Sequence, residues 1–456
     1  MIAPALAPLE TTTALPTALV CAGCGYRAPG RELHLRCPNA RPGDDIDHVI
    51  QRVIDPARVE WPAGGEPNPF IRYRTLFHWY HVARAAGIAD DAIVEDVARL
   101  DDAVARVDGR GFRVTPFDFC AGLDAWVKDE TNNVSGSHKA RHLFGTLLAL
   151  RFMSDDATGA TSDIGAAARP LAIASCGNAA LAAAVVARAA ERRLEVFVPL
   201  EADGAVVAAI KDLGAEVTVC DRGAGETGDP SVRRMREAVA AGAIAFTCQG
   251  DQNGVAIEGG LTLGYEIADA LANRVANGHE IRLDNLFVQV GGGALASSVI
   301  QALDEAWEMG ALRIVPRLYP VQTAGVAPLA NAYRLVREQL AGWREPTDVL
   351  YEVARNRSRY MRPWSSIRPS IASGILDDET YDWLAIVRAM VETGGRPMVV
   401  DEAAIADANR RARDASSINV DPTGSAGLAG LLALRASGEM ADNESSAVLF
   451  TGALRS

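Results

Sequence analysis

Trp126-Val-Lys-Asp-Glu-Thr-Asn-Asn-Val-Ser-Gly-Ser-His-Lys-Ala-Arg141 is the stretch on which the fold turns. It begins as an apolar strand, passes through a polar turn containing Gly136, and enters a helix that runs through Phe144 to Leu150. Lys139 stands just beyond the turn. A lysine at such a junction can face a cleft and form an imine with an aldehyde cofactor. Asn133, Ser135, Gly136 and Ser137 offer side chains and backbone N–H groups that suit a substrate carboxylate. The start of a helix favours an anion there. Taken alone, the same letters also describe a solvated lysine on a surface helix.

Outward from this stretch the pattern is regular. Towards the C-terminus, strands are expected at 171–175, 195–200, 216–220 and 243–247, alternating with helices at 179–192, 205–213 and 231–241. Gly214 suits the cap that closes the second of these helices. A second unit has strands at 285–290 and 314–321 around a helix at 296–309, then helices at 379–392, 401–415 and 425–436, and a last strand at 447–450. Alternation of this kind implies right-handed crossovers and parallel sheets. The fold class is therefore α/β with two open parallel-sheet domains. A ligand belongs between them, at the carboxyl ends of the strands.

Composition narrows the function. With 456 residues, 49% hydrophobic and 23% charged, the chain can bury more than one core as a soluble protein. A net charge of −13 with scattered basic residues argues against nucleic acid as a partner. Residues 1–19 are apolar but proline-rich and lack a basic start, so they read poorly as a signal peptide. The Ala-rich run 171–190 is broken by Cys176-Gly177 and reads as a buried strand and helix, not as a membrane span. The seven cysteines are unevenly spaced and suggest no disulfide framework. The expectation is a cytoplasmic protein with no membrane partner.

Asn133-Val-Ser-Gly-Ser-His-Lys-Ala-Arg141 resembles the lysine motif of fold-type II pyridoxal 5′-phosphate (PLP) enzymes, Asn-Pro-Thr-Gly-Ser-Phe-Lys-Asp-Arg. This is the tryptophan synthase β-like group, which includes threonine synthase and threonine dehydratase. Here Val134 stands for Pro, Ser135 for Thr, His138 for Phe and Ala140 for Asp. The resemblance implies a Schiff base on Lys139. It also implies that His138 lies near the cofactor phosphate, as in the tryptophan synthase β version.

Three more segments follow in the family's order. Ser175-Cys-Gly-Asn178 is similar to a turn whose Asn meets the cofactor's phenolic oxygen, which implies that role for Asn178. Gly291-Gly292-Gly293-Ala294-Leu295 follows a strand and opens a helix, so its N–H groups can wrap a phosphate. It has neither the Walker lysine nor the dinucleotide spacing, and it resembles the family's phosphate loop. Phe450-Thr451-Gly452 looks like the threonine synthase ending, which implies that the Thr451 hydroxyl faces the pyridine nitrogen. A neutral hydroxyl there leaves the nitrogen unprotonated and the electron sink weak, which suits eliminations and replacements. Thr115-Pro-Phe117, the Ala209–Val217 segment, Ile257-Glu-Gly259, Ile371-Ala-Ser-Gly-Ile375 and Val420-Asp-Pro-Thr-Gly-Ser-Ala426 extend the likeness over about 70–452. Cys176, inside the Asn178 turn, reads as a space filler.

The implied organisation is an N-terminal appendage at 1–66, a large PLP-binding domain at 67–144 and 256–456, and a small α/β domain at 145–255. The resemblance also suggests a homodimer. In the appendage, Cys21-Ala-Gly-Cys24 and Cys37-Pro38 look like most of a zinc ribbon, a segment that some threonine synthases carry. A structural zinc wants four ligands, and only three cysteines are present. His34 and His48 are the candidates for a fourth, but neither has the usual partner spacing. The expectation is a metal-free remnant with free thiols, so zinc is not expected.

The leading reading of the reaction is a threonine synthase-like lyase converting O-phosphohomoserine to threonine and phosphate. The cysteine segment, Glu258-Gly259 and Thr451 favour it. A second phosphate needs further cations, and Lys128, Arg141, Arg72 and Arg74 are on offer. The alternative is β-elimination by a serine/threonine dehydratase or a diaminopropionate ammonia-lyase type, which needs no second phosphate site. Dehydratases commonly place Ser, not Thr, at the ring nitrogen. A β-replacement synthase and a non-catalytic PLP-binding protein are less favoured. In every enzyme reading the partner is a small amino acid.

Overall fold

The computed structural model describes residues 15–153, 169–221, 229–276, 282–342 and 345–455. Residues 1–14, on which most of the signal-peptide reading rests, lie outside the described residues.

Twelve strands form three sheets among the described residues. Strands β1 (Thr17–Cys21) and β2 (Ile50–Ile54) make an antiparallel pair. The largest sheet holds β3 (Phe117–Cys120), β4 (Ala125–Asp129), β9 (Asn285–Gln289), β10 (Arg317–Thr323), β11 (Met398–Val400) and β12 (Ser446–Phe450), in the order β11-β10-β9-β12-β4-β3. All its pairings are parallel except that of the edge strand β3. The third sheet holds β5 (Leu171–Ala174), β6 (Leu194–Pro199), β7 (Glu216–Cys220) and β8 (Ile244–Ala245), parallel throughout, in the order β7-β6-β5-β8.

Burial explains why these strands read so clearly. Every residue of β4, β9 and β12 is buried. Such strands, covered by helices on both faces, show apolar runs in place of alternation. The small sheet is covered in part by helix 178–189, which packs against helices 90–108 and 139–153. Its alanines suit that position, because small side chains let three helices approach closely.

One expectation needs correction. The strand foreseen at 243–247 pairs only over Ile244–Ala245, at the edge beside β5. The N-terminal segment packs against the rest of the chain: Leu19, Cys21 and Ile50 share one apolar core with Phe70, Phe144 and Ala180.

The phrase Ile257–Ile267 lies in helix 256–276. A Cβ on Gly259 would stand 2.2 Å from the Arg141 carbonyl oxygen, and a Cβ on Gly145 would stand 2.4 Å from Gly259 Cα. These glycines let helix 256–276 cross the helix that begins at Lys139. Among the described residues no helix is long and apolar enough to cross a membrane.

Candidate active site

The site is built at the carboxyl ends of three neighbouring strands. β12 lies between β9 and β4, with Phe450 opposite Asp129 and Val448 opposite both Val127 and Phe287. The Lys139 turn leaves β4, Thr451 leaves β12, and the glycine turn leaves β9.

The lysine turn is rigid for local reasons. Asp129 accepts from the Thr131 N–H (2.8 Å) and hydroxyl (2.7 Å). Ser135 and Gly136 are both left-handed, with φ of 55° and 67°. Glycine adopts this backbone readily, whereas serine is strained in it. The chain's last residues then lace onto the turn. Ser137 bridges Gly452, the His138 N–H donates to the Thr451 carbonyl (3.2 Å), and the Ala453 N–H donates to the Gly136 carbonyl (2.9 Å).

Lys139 is half-buried at the first position of its helix. His138 is buried and bonds the Thr451 carbonyl through Nδ1 (3.2 Å), while its Nε2 has no partner among the described residues. Burial and the neighbouring Lys139 charge push its pKa well below the usual histidine value.

Asn178 comes from the other sheet, at the carboxyl end of β5. A Cβ on Gly452 would stand 2.8 Å from its Nδ2, so Asn178 does meet the β12 turn across the cleft. Its Oδ1 accepts from Arg455 (2.5 Å), which also donates to the Ser135 carbonyl (2.8 Å). Asp421 lies beside the Asn178 amide at Gly452, and burial raises its pKa to about 6.

The glycine turn is tightly enclosed. A side chain at Gly291 would meet Asp377 Oδ2 at 2.3 Å, and one at Gly292 would meet the Tyr381 ring at 2.9 Å. Gly293 has φ 102°, and the helix Ala294–Glu308 starts directly behind it, with Leu295 buried in its first turn. The Asp377 carboxylate packs against this turn, and burial raises its pKa to about 6. A glycine turn at the start of a helix presents backbone N–H groups, which is the property a phosphate needs.

Residues 111–452 match the family described as Pyridoxal-phosphate dependent enzyme. The chain belongs to that family. Its enzymes use pyridoxal phosphate, and the two parallel sheets are those of fold-type II. The orphaned His138 Nε2 beside Lys139 and the N–H-lined glycine turn both fit that cofactor.

No curated protein matches the sequence of this pyridoxal-phosphate enzyme at a significant level. Solved structures share its fold. It is similar to threonine deaminase isoform 2 from Solanum lycopersicum, with TM-score 0.56 and 16% identity over 80% of this chain and 91% of that one. It is similar to maize serine racemase, with TM-score 0.55 and 18% identity over 79% and 94%. It is also similar to diaminopropionate ammonia lyase from Escherichia coli, with TM-score 0.54 and 17% identity over 79% and 89%.

Several side chains picked from the sequence are engaged elsewhere. Asn133 donates its amide to Glu130 Oε2 (2.9 Å) and the Ser137 carbonyl (3.2 Å), so it braces the turn. Lys128 donates to Glu266 Oε2 (2.5 Å) and the Thr115 carbonyl (2.7 Å). Arg141 donates to Glu130 Oε2 (2.7 Å) and Glu266 Oε1 (2.5 Å). All four ionic side chains are fully buried. Arg72 pairs with Asp269 (2.6 Å) and Arg74 with Asp90 (2.7 Å). Glu258 is buried against the His78 N–H, and burial raises its pKa to about 7.

Sequence reasoning missed Asp377, Asp421, Arg455 and Gln289. Asp421 lay inside a quoted motif and Arg455 just past one, but nothing in the spacing marked them as neighbours of Asn178. In the N-terminal segment, Cys21, Cys24 and Cys37 converge with His48, whereas His34 turns to Tyr26 and Glu32.

Proposed function

We propose that this enzyme is a β-eliminating ammonia-lyase acting on a small amino acid that carries a hydroxyl or amino group on its β carbon. The observation that carries this reading is the engagement of Lys128, Arg141, Arg72 and Arg74 in ion pairs. A threonine synthase must bind a second phosphate, and the four cations read from the sequence for it, Lys128, Arg141, Arg72 and Arg74, all have carboxylate partners. The reading thus moves from the threonine synthase expectation to the alternative.

Pyridoxal phosphate, when bound, supplies the electron-withdrawing ring that stabilises negative charge at the substrate α carbon. Lys139 is the residue that would hold the cofactor covalently. Once released, its amine would take the α proton and return a proton to the departing β group. The N–H groups and hydroxyls of Ser135, Gly136 and Ser137 would hold the substrate carboxylate, with Arg455 adding a cation beside them. The glycine turn and His138 Nε2 would hold the phosphate, Asn178 would meet the phenolic oxygen, and Thr451 would meet the ring nitrogen.

The balance is simple. From serine, the Cα–H and Cβ–O bonds break and water leaves. Water then hydrolyses the resulting enamine to ammonia and a keto acid.

The test is to incubate PLP-loaded enzyme separately with serine, threonine, 2,3-diaminopropionate and O-phosphohomoserine, reading keto acid, ammonia and phosphate. Keto acid with equimolar ammonia from serine or threonine, or with twice that ammonia from diaminopropionate, supports the proposal. Threonine plus phosphate from O-phosphohomoserine would overturn it.

A further inference from the structure

We propose that Cys21, Cys24, Cys37 and His48 form a closed, structural zinc site. The four ligand atoms lie within 4.8 Å of one another. Cys24 Sγ is 3.6 Å from Cys37 Sγ, and Cys21 Sγ is 3.5 Å from His48 Nδ1. A tetrahedral zinc with bonds of about 2.3 Å to sulfur and 2.0 Å to nitrogen requires ligand separations of about 3.5–3.8 Å. A disulfide needs its sulfurs at about 2.05 Å, so the Cys24–Cys37 pair is not one. Three thiols and an imidazole are soft and borderline donors that suit zinc better than magnesium or calcium.

The surroundings are those of a metal site. Gly25 is left-handed with φ 76°, and its N–H donates to the Cys21 carbonyl (3.0 Å), which closes the Cys21–Cys24 knuckle. A side chain at Gly23 would strike the Asp47 carbonyl oxygen at 2.4 Å, so the knuckle packs directly on the segment that carries His48 and leads into β2. Asn39 Nδ2 faces Cys24 Sγ at 3.8 Å. His48 Nε2 faces Asp44 Oδ2 at 3.2 Å, and the ring's Nδ1 is turned to the sulfurs. A carboxylate behind a histidine ligand is the usual way to fix its tautomer. Cys21, Cys37 and the His48 ring are buried, and four protein donors fill the tetrahedron, so the site has no open position for substrate.

Its function is to brace the catalytic body. Asp47, next to His48, accepts from Trp383 Nε1 (3.1 Å) and Arg357 Nε (3.0 Å), and its N–H donates to the Ala354 carbonyl (2.8 Å). Trp383 opens the helix preceded by Asp382, whose N–H donates to the Gly292 carbonyl (3.1 Å). The metal thus pins the loop that backs the glycine turn. This inference does not depend on which amino acid the enzyme takes.

The test is elemental analysis of full-length holoenzyme purified under reducing conditions from zinc-supplemented cells, with chelator competition for affinity. The expected result is close to one zinc per chain. Asp44→Asn should weaken binding about 10–100-fold, His48→Ala should weaken it further, and His48→Cys should retain the metal. Wild-type protein that holds no zinc and takes none up on addition would overturn the site. Unchanged affinity in His48→Ala would overturn the assignment of the fourth ligand.

Discussion

The side-chain amide nitrogen of Gln289 donates to Thr451 Oγ1 at 2.5 Å and also faces the carbonyl oxygens of Gly424 (2.8 Å) and Leu449 (3.2 Å). An amide oxygen would repel those carbonyls, so they fix which end of Gln289 points at Thr451. Thr451 must then accept, and its own proton is left for another acceptor. In the proposed site that acceptor would be the cofactor's ring nitrogen. Gln289→Leu removes the side-chain donor that Thr451 Oγ1 and the buried Gly424 and Leu449 carbonyls face, and leaves the Gly424 carbonyl only the Thr451 N–H (3.3 Å). It should destabilise the fold by about 1–3 kcal/mol and weaken cofactor binding. Urea denaturation and a cofactor titration read the two effects separately.

Thr451→Val keeps the shape and removes the hydroxyl. It should weaken cofactor binding while changing stability much less than Gln289→Leu. Unchanged cofactor affinity and unchanged rate would remove Thr451 from the site.

Lys139→Ala should lose the borohydride-reducible link to the cofactor and reduce turnover by at least the roughly 10²–10⁴-fold typical of a lost general base. Intact mass before and after reduction reads the link. A variant that still gains cofactor mass on reduction would show that another lysine carries it.

If the glycine turn holds the cofactor phosphate as proposed, the Asp377 carboxylate packed on that turn would compete with it. Burial raises the Asp377 pKa from 3.8 to about 6, against the pull of Lys139. The folded state therefore binds this proton more tightly than the unfolded chain does. The sign follows: its contribution to stability is fully present below about pH 4 and declines as pH rises to about 6. Asp377→Asn should be more stable than wild type at pH 7 by about 1–3 kcal/mol, with the difference vanishing near pH 4. It should also bind PLP more tightly at pH 7. Denaturation curves at several pH values and a cofactor titration check both.

Arg141→Met leaves Glu130 and Glu266 buried with one cation fewer. It should cost about 3–5 kcal/mol of stability, which thermal or urea unfolding will show. Arg72→Ala, by contrast, should leave the KM for the amino-acid substrate unchanged, because Arg72 serves Asp269. A large KM increase for a phosphorylated substrate would return Arg72 to the site and favour the threonine synthase reading.

The sequence by itself determined the family, the cofactor and the layered α/β fold. Each rests on local pattern. β4, β9 and β12 read as strands because both faces are buried, which removes alternation. Lys139, Asn178, the glycine turn and Thr451 stood out because each follows the carboxyl end of a strand, in a turn or at a helix start, where backbone geometry restricts the letters. The tertiary structure alone decided which charges are free. Lys128 and Arg141 are written like loop cations, but Glu130 and Glu266 neutralise them from residues up to 138 positions away. Asp377 reaches the glycine turn across a long connection, and His48 reaches three cysteines through the pairing of β1 with β2. Pairings of this kind depend on how elements pack, and a single linear pattern does not carry that information.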